Sequence, residues 1–297
     1  MFPFLDAGLQ VGIAMLALYA LLAVASLSVR LARGNKAPNT LSHQVNAWWR
    51  IFPVVSLSLL TYPLGLLALA CLVYLLAAIE LDAYHDGRRL HFWRAIAVVA
   101  ASLAWASWQS PSTGLLLAFA LVVIQALQCL ANFNRNALIW LLVVATAGAM
   151  LVIAAFPSLP FSARTNLAWL FYLFILTALN DIAQFVAGKL FGKHKIAPTI
   201  SPNKTWQGLF GGIAVSQLVG MAIGTYLSLA NPLTLVVFAL LLSLAGFTGD
   251  LTFSAAKRRL GIKDFSTLIP GHGGILDRVD SLVFTAPLLY CLLRITH

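Results

Sequence analysis

Between Ser254 and Asp280 the chain gathers three carboxylates, five cations, one histidine and a run of glycines. Asp277 and Asp280 stand at i and i+3, and Ser281 follows. Just upstream, Asp250 has Ser254 at i+4 and Lys257 and Arg258 at i+7 and i+8. On a helix these spacings share a face. Acids set beside cations suit one chemistry in particular: an oxygen-ligand site for a hard divalent ion such as Mg²⁺, which takes one or two carboxylates plus substrate phosphates. Structural readings remain open. Asp250 could pair with a lysine on a neighbouring helix, and Asp277 or Asp280 could cap a helix and complement its dipole.

Pro270-Gly271-His272-Gly273-Gly274 leads into the segment carrying Asp277. Glycines let backbone N–H groups approach phosphate oxygens, and a helix N-terminus adds positive potential. His272 reads as a general acid or base, a phosphate hydrogen-bond donor, or a loop-packing residue. Arg278 reads equally as a phosphate clamp or an anchor.

A second constellation runs from Asn180 to Gly212, where Thr177, Asp181, Gln184 and Gly188 follow helical spacing. Ser201-Pro202 predicts the N-cap and first residue of a helix. That would bring Lys204 and Thr205 to its N-terminus, suited to a phosphate, with Trp206 as an interfacial anchor. Gly188-Lys189-Leu190-Phe191-Gly192-Lys193 is one residue short of a P-loop and follows no strand, so that reading is rejected.

The elements that position these residues must lie in a membrane. Of 297 residues, 61% are hydrophobic and 9% charged, against about 25% charged in a soluble domain. A span needs roughly 20 apolar residues. The candidate segments are 9–30, 49–62, 64–81, 92–109, 113–131, 137–156, 166–189, 207–229, 233–256 and 276–295, an all-α polytopic bundle of 8–10 spans with negligible strand. Segment 49–62 is short and could form a half-inserted pair with 64–81. The N-terminus lacks the basic region of a signal peptide, so 9–30 reads as a retained span.

The net charge is +10, and the cations recur in alternate loops. With ten crossings and the N-terminus outside, the positive-inside pattern assigns the cation-rich loops to the cytoplasm. Cations scattered in short loops are no nucleic-acid footprint. Cys71, Cys129 and Cys291 are far apart and lack metal or redox spacing.

The chain divides into 1–165, membrane helices of unassigned role, and 166–297, a catalytic membrane domain. In the first half, Glu80, Asp82 and Asp86 stand beside Arg88 and Arg89 and read mainly as solvated loop charges, although Glu80 is near enough to a span end to touch the polar site. Trp48-Trp49-Arg50 reads as an interfacial belt.

Ser254-x-x-Lys-Arg-x₄-Lys-Asp-x-Ser-x-x-Ile-Pro-x-His-Gly-Gly-Ile-x-Asp-Arg-Val-Asp280 closely resembles the signature of the CDP-diacylglycerol synthase (phosphatidate cytidylyltransferase) family. Asn180-Asp181 and Ser201-Pro-Asn-Lys-Thr-Trp-Gln-Gly208 are similar to further motifs of that family. The likeness covers roughly 170–295. Ala256 stands where a larger apolar residue is usual, and Gln207 where many members carry glutamate. The sequence looks like a divergent second bacterial member.

The resemblance implies that CTP and phosphatidate condense to CDP-diacylglycerol and pyrophosphate. It implies Mg²⁺ on Asp250, Asp277 and Asp280, with His272 and Lys257 also catalytic. Substrate contacts would come from Ser201, Lys204, Thr205, Asp181, Ser254, Arg258, Lys263, Asp264, Gly273, Gly274 and Arg278. It further implies the bacterial inner membrane, a site facing the cytoplasm, and no nucleic-acid partner, with a homodimer left open. Two other readings stand beside it: a cytidylyltransferase acting on another lipid phosphate, and an ion-coupled lipid or phosphate transporter.

Overall fold

The computed structural model describes residues 3–33, 40–269 and 273–296. The expected all-α bundle is found. Its helices are α1 (Pro3–Arg33), α2 (Thr40–Leu60), α3 (Leu64–Asp82), α4 (Arg89–Gln109), α5 (Pro111–Ala131), α6 (Arg135–Ala155), α7 (Ala163–Phe191), α8 (Trp206–Tyr226), α9 (Pro232–Leu260), α10 (Leu276–Val279) and α11 (Leu282–Thr296). Nine helical stretches among the described residues are long and apolar enough to cross a membrane, with α10 and α11 together forming the last. The weak segment becomes α2, which begins earlier than expected and carries only a shorter apolar run, Val45–Leu60. The chain is thus an integral membrane protein.

Helix ends follow local chemistry. Ser110, Asn134, Ser162 and Asn231 each accept from the backbone N–H three residues on, satisfying a free amide at the helix start. Helix α9 ends at Gly261, whose φ of +74° is the left-handed stop that glycine adopts at least strain.

Helix α7 lies at the centre of the second half and packs on α8, α9 and α11. The closest approach is to α8. Gly208, Gly212, Ser216, Gly220 and Gly224 recur every fourth residue and are buried. A Cβ at Gly220 would come 2.8 Å from the Tyr172 hydroxyl oxygen. Without a hydrophobic drive inside lipid, such small residues let backbones meet and gain van der Waals contact. Helix α6 packs on α3, α5 and α11, so α11 joins the two groups of helices.

One expectation is corrected, and regular strand is confined to a single hairpin among the described residues: β1 (Lys195–Ala197) pairs antiparallel with β2 (Ser201–Thr205), Lys195 opposite Thr205 and Ala197 opposite Ser201. Its backbone partners are supplied within one hairpin beyond the end of α7. Ser201-Pro202 therefore does not start a helix. The N-cap of α8 is Thr205, whose hydroxyl accepts from Gly208 N at 3.1 Å.

Candidate active site

The acids form two groups. The first lies where α7, β2, α9 and the α10–α11 junction converge. Asp181 and Gln184 come from α7, Lys204 from β2, and Asp250 and Ser254 from α9. Asp280 and Ser281 occupy the junction. Lys204 forms an ion pair with Asp250 and donates to Gln184 Oε1 at 3.0 Å. Its ammonium also stands 5.4 Å from the centre of the Phe247 ring. Ser254 Oγ donates to Asp250 Oδ1 at 3.4 Å.

Ser281 Oγ lies 3.1 Å from Asp181 Oδ1 and 3.2 Å from the Gly246 carbonyl oxygen. Asp181, Asp250 and Asp280 are near enough to act on one another electrostatically, with Arg278 also felt by Asp181 and Asp280. Asp280 is buried. The buried Gln184 Nε2 has no hydrogen-bond partner among the described residues.

Below this group, Asn180 ties three helices together. Its Oδ1 accepts from Ser216 Oγ at 3.1 Å and Ser243 Oγ at 2.6 Å. Farther along α7, Thr177 meets Thr285 at 3.0 Å. A satisfied polar ladder of this kind holds α7 to α8, α9 and α11.

The second group surrounds Asp277. Asp277 Oδ1 takes a hydrogen bond from Lys257 Nζ at 2.5 Å. Its Oδ2 accepts from Phe265 N at 3.0 Å and Gly274 N at 2.9 Å. The carboxylate thus closes the loop between α9 and α10. The helix is interrupted at Asp280–Ser281, at the end of the i, i+3 pair of Asp277 and Asp280. Among the described residues, no three His, Cys, Asp or Glu side chains form a metal-holding group.

The same geometry changes the reading of the glycines. The Gly274 N–H is engaged by Asp277 rather than left open for phosphate. Gly273, at φ +77°, accepts at its carbonyl oxygen from Ile269 N at 2.9 Å. Lys257 also stands 5.8 Å from the centre of the Phe265 ring.

Glu80 departs furthest from its reading as a solvated charge. It is buried and accepts from Ser266, Ile275 and Leu276 of this loop. Tyr84 Oη donates to Phe265 O at 2.7 Å. Burial first, then the charges of Glu80 and Asp277, raises the Tyr84 phenol above its ordinary range, so it remains a protonated donor at neutral pH. The sole sequence signal for Glu80 was its nearness to a span end.

Other expected site residues take different positions. Arg258 donates to the Ile200 and Ile262 carbonyls at 3.1 Å each, fastening the hairpin to the end of α9. Thr205 is a cap. Ser201 lies in β2, and Lys263, Asp264 and Arg278 are exposed. His272 lies outside the described residues. Gln207, the departure from the family pattern, accepts from Lys193 N at 3.0 Å and His194 N at 3.2 Å, and its amide nitrogen meets His194 Nδ1 at 3.0 Å. It shapes the hairpin rather than joining the acids.

Residues 42–296 match the cytidylyltransferase family, and the chain belongs to that family. The match takes in most of the first half, which the motifs alone do not reach. Over 123 residues, 41% of this chain and 41% of the relative, it is 46% identical to the uncharacterized protein YnbB of Escherichia coli. Over 129 residues, 43% of this chain and 50% of the relative, it is 44% identical to phosphatidate cytidylyltransferases of Staphylococcus epidermidis and Staphylococcus aureus. The chain spans about half the length of the curated relatives it matches.

Proposed function

We propose that this protein is a CTP-dependent nucleotidyltransferase that condenses CTP with phosphatidate, giving CDP-diacylglycerol and pyrophosphate. The observation that carries the reading is the Lys204–Asp250 ion pair set among Asp181 and Asp280, in a chain of the cytidylyltransferase family. A phosphate oxygen of the lipid attacks the α-phosphorus of CTP. The bond from that phosphorus to the β-phosphate bridging oxygen breaks, and pyrophosphate leaves with the electron pair. The nucleophile is already anionic near neutral pH, so no strong general base is needed. The barrier is the approach of two polyanions, which positioning and charge neutralisation lower.

Lys204 is suited to neutralise the triphosphate, held in line by Gln184 Oε1. The free Gln184 Nε2–H is a further donor for a phosphate oxygen. Exposed Lys263 and Arg278 would draw in the nucleotide.

Mg²⁺ is the proposed cofactor, and the donor set fits it. Asp250 and Asp280 act on one another, and the available donors are hard oxygens. These two would hold the ion. A partial protein shell suffices because substrate phosphates and water supply the remaining ligands. When bound, it would offset charge on the phosphate oxygens. Asp277, with its oxygens taken by Lys257, Phe265 and Gly274, supports the loop instead. The alternation of cation-rich loops favours a site opening toward the cytoplasm, in a bacterial inner membrane.

The test uses the full chain in lipid nanodiscs with CTP and a panel of lipid phosphates. Pyrophosphate release and a CDP-lipid product with phosphatidate are expected. Release only with another lipid phosphate would replace the acceptor. No release with any, together with lipid or phosphate flux in vesicles, would replace the enzyme by a transporter.

A further inference from the structure

Helix α3 belongs to the half of the chain without a chemical motif, yet it grips both ends of the loop that carries Asp277. Glu80 is 5% exposed, and no cation pairs with it among the described residues. Three donors converge on it instead. Ser266 Oγ reaches Oε1 at 2.6 Å and Ile275 N reaches it at 2.7 Å, while Leu276 N reaches Oε2 at 3.0 Å. Just beyond the end of that helix, Tyr84 holds the Phe265 carbonyl. The loop therefore meets α3 at Phe265–Ser266 and again at Ile275–Leu276. Gly274 is part of the seat, since a Cβ there would overlap the Glu80 carboxylate.

Burying a carboxylate is costly unless donors surround it, and an apolar side chain would fill the space at less cost. What the carboxylate adds is direction: it aligns two backbone N–H groups and a hydroxyl against one rigid helix. Asp277 and Asp280 follow immediately on the chain. Asp277 in turn reaches back to Phe265 N and Lys257.

We propose that Glu80 is a positioning residue, fixing Ser266 and Ile275–Leu276 so that Lys257, Asp277 and Asp280 stand correctly for nucleotidyl transfer. This rests on the reading of the site under Proposed function. The experiment compares full-length wild type with E80A, E80Q and S266A in nanodiscs. It measures amide hydrogen exchange across 265–276 together with CTP-dependent pyrophosphate release.

In E80A, exchange at Ile275 and Leu276 should rise by about tenfold or more while α7 and α9 keep their protection. The kcat should fall by about 10- to 100-fold, with the KM for CTP changing less. E80Q keeps an oxygen for Ser266 and Ile275 but turns an N–H₂ toward Leu276 N, and should fall between. S266A, which removes one donor, should lose least.

Unchanged loop protection in E80A overturns the proposal. An opened loop with full kcat also overturns it, as does protection lost throughout the molecule in proportion to activity. A wild type that releases no pyrophosphate would refute the transferase reading alone, because the exchange data still decide whether Glu80 holds the loop.

Discussion

Two groups of carboxylates sit near the same end of the bundle and are treated oppositely. Glu80 and Asp277 each have both oxygens engaged, largely by backbone N–H groups of a single loop. Asp181, Asp250 and Asp280 act on one another electrostatically, and Lys204 pairs with Asp250. Saturated acids hold a shape, whereas acids that feel one another create a negative potential that a cation can relieve. Residue type alone does not separate the two roles, but the supply of donors does.

The sharpest way to break this contrast is to neutralise one acid from each group. D250N and D280N should each lower CTP-dependent pyrophosphate release by about a thousandfold or more, with thermal unfolding in detergent little changed. D277N should lose activity together with stability and loop protection. If D277N abolishes activity while leaving the loop closed, and D250N is tolerated, the two groups have been assigned the wrong way round. Chelation should abolish wild-type activity, with Mg²⁺ restoring it. The half-saturating Mg²⁺ concentration should shift in D181N and remain near normal in S266A.

A smaller loss is expected at Lys204. K204M leaves Asp250 without its ion pair and should reduce kcat by about 100-fold, while K204R keeps the charge and recovers part of it. Equal activity in both variants would separate Lys204 from the chemistry.

Lys257 sharpens the contrast from the structural side. K257M leaves the buried Asp277 carboxylate without its cation and should lower stability by about 3–5 kcal/mol, measured by chemical unfolding in detergent. A variant as stable as wild type would argue that the pair does not hold the loop.

The least effect is expected from Q207E. The retained oxygen still accepts from Lys193 N and His194 N, and the second faces the His194 ring. Pyrophosphate release should remain within about threefold of wild type, since side chains away from the reacting centre are usually near neutral. A large change in Mg²⁺ dependence would bring Gln207 into the acid group.

Much of this was legible in the chain itself. Long apolar stretches must be helices in lipid, because each unpaired backbone group there is costly, and their limits are marked by caps such as Ser162 and Asn231. The spacing of Asp250 and Ser254 correctly set both on one face of α9. What spacing could not show for Asp277 is that its oxygens are taken by Lys257, Phe265 and Gly274. Ser201-Pro202 misled because a hairpin used the residues that could have begun a helix.

What composition and motif determined was local: a membrane bundle, the family signature and the polar stretches. Tertiary structure decided which acids became neighbours. Asp181 comes within electrostatic reach of Asp250 and Asp280 where Asn180 ties α7 to Ser243 of α9 and Thr177 ties it to Thr285 of α11. Glu80 meets Leu276 from 196 positions away. No local spacing encodes that contact, since it depends on where two rigid helices end in space.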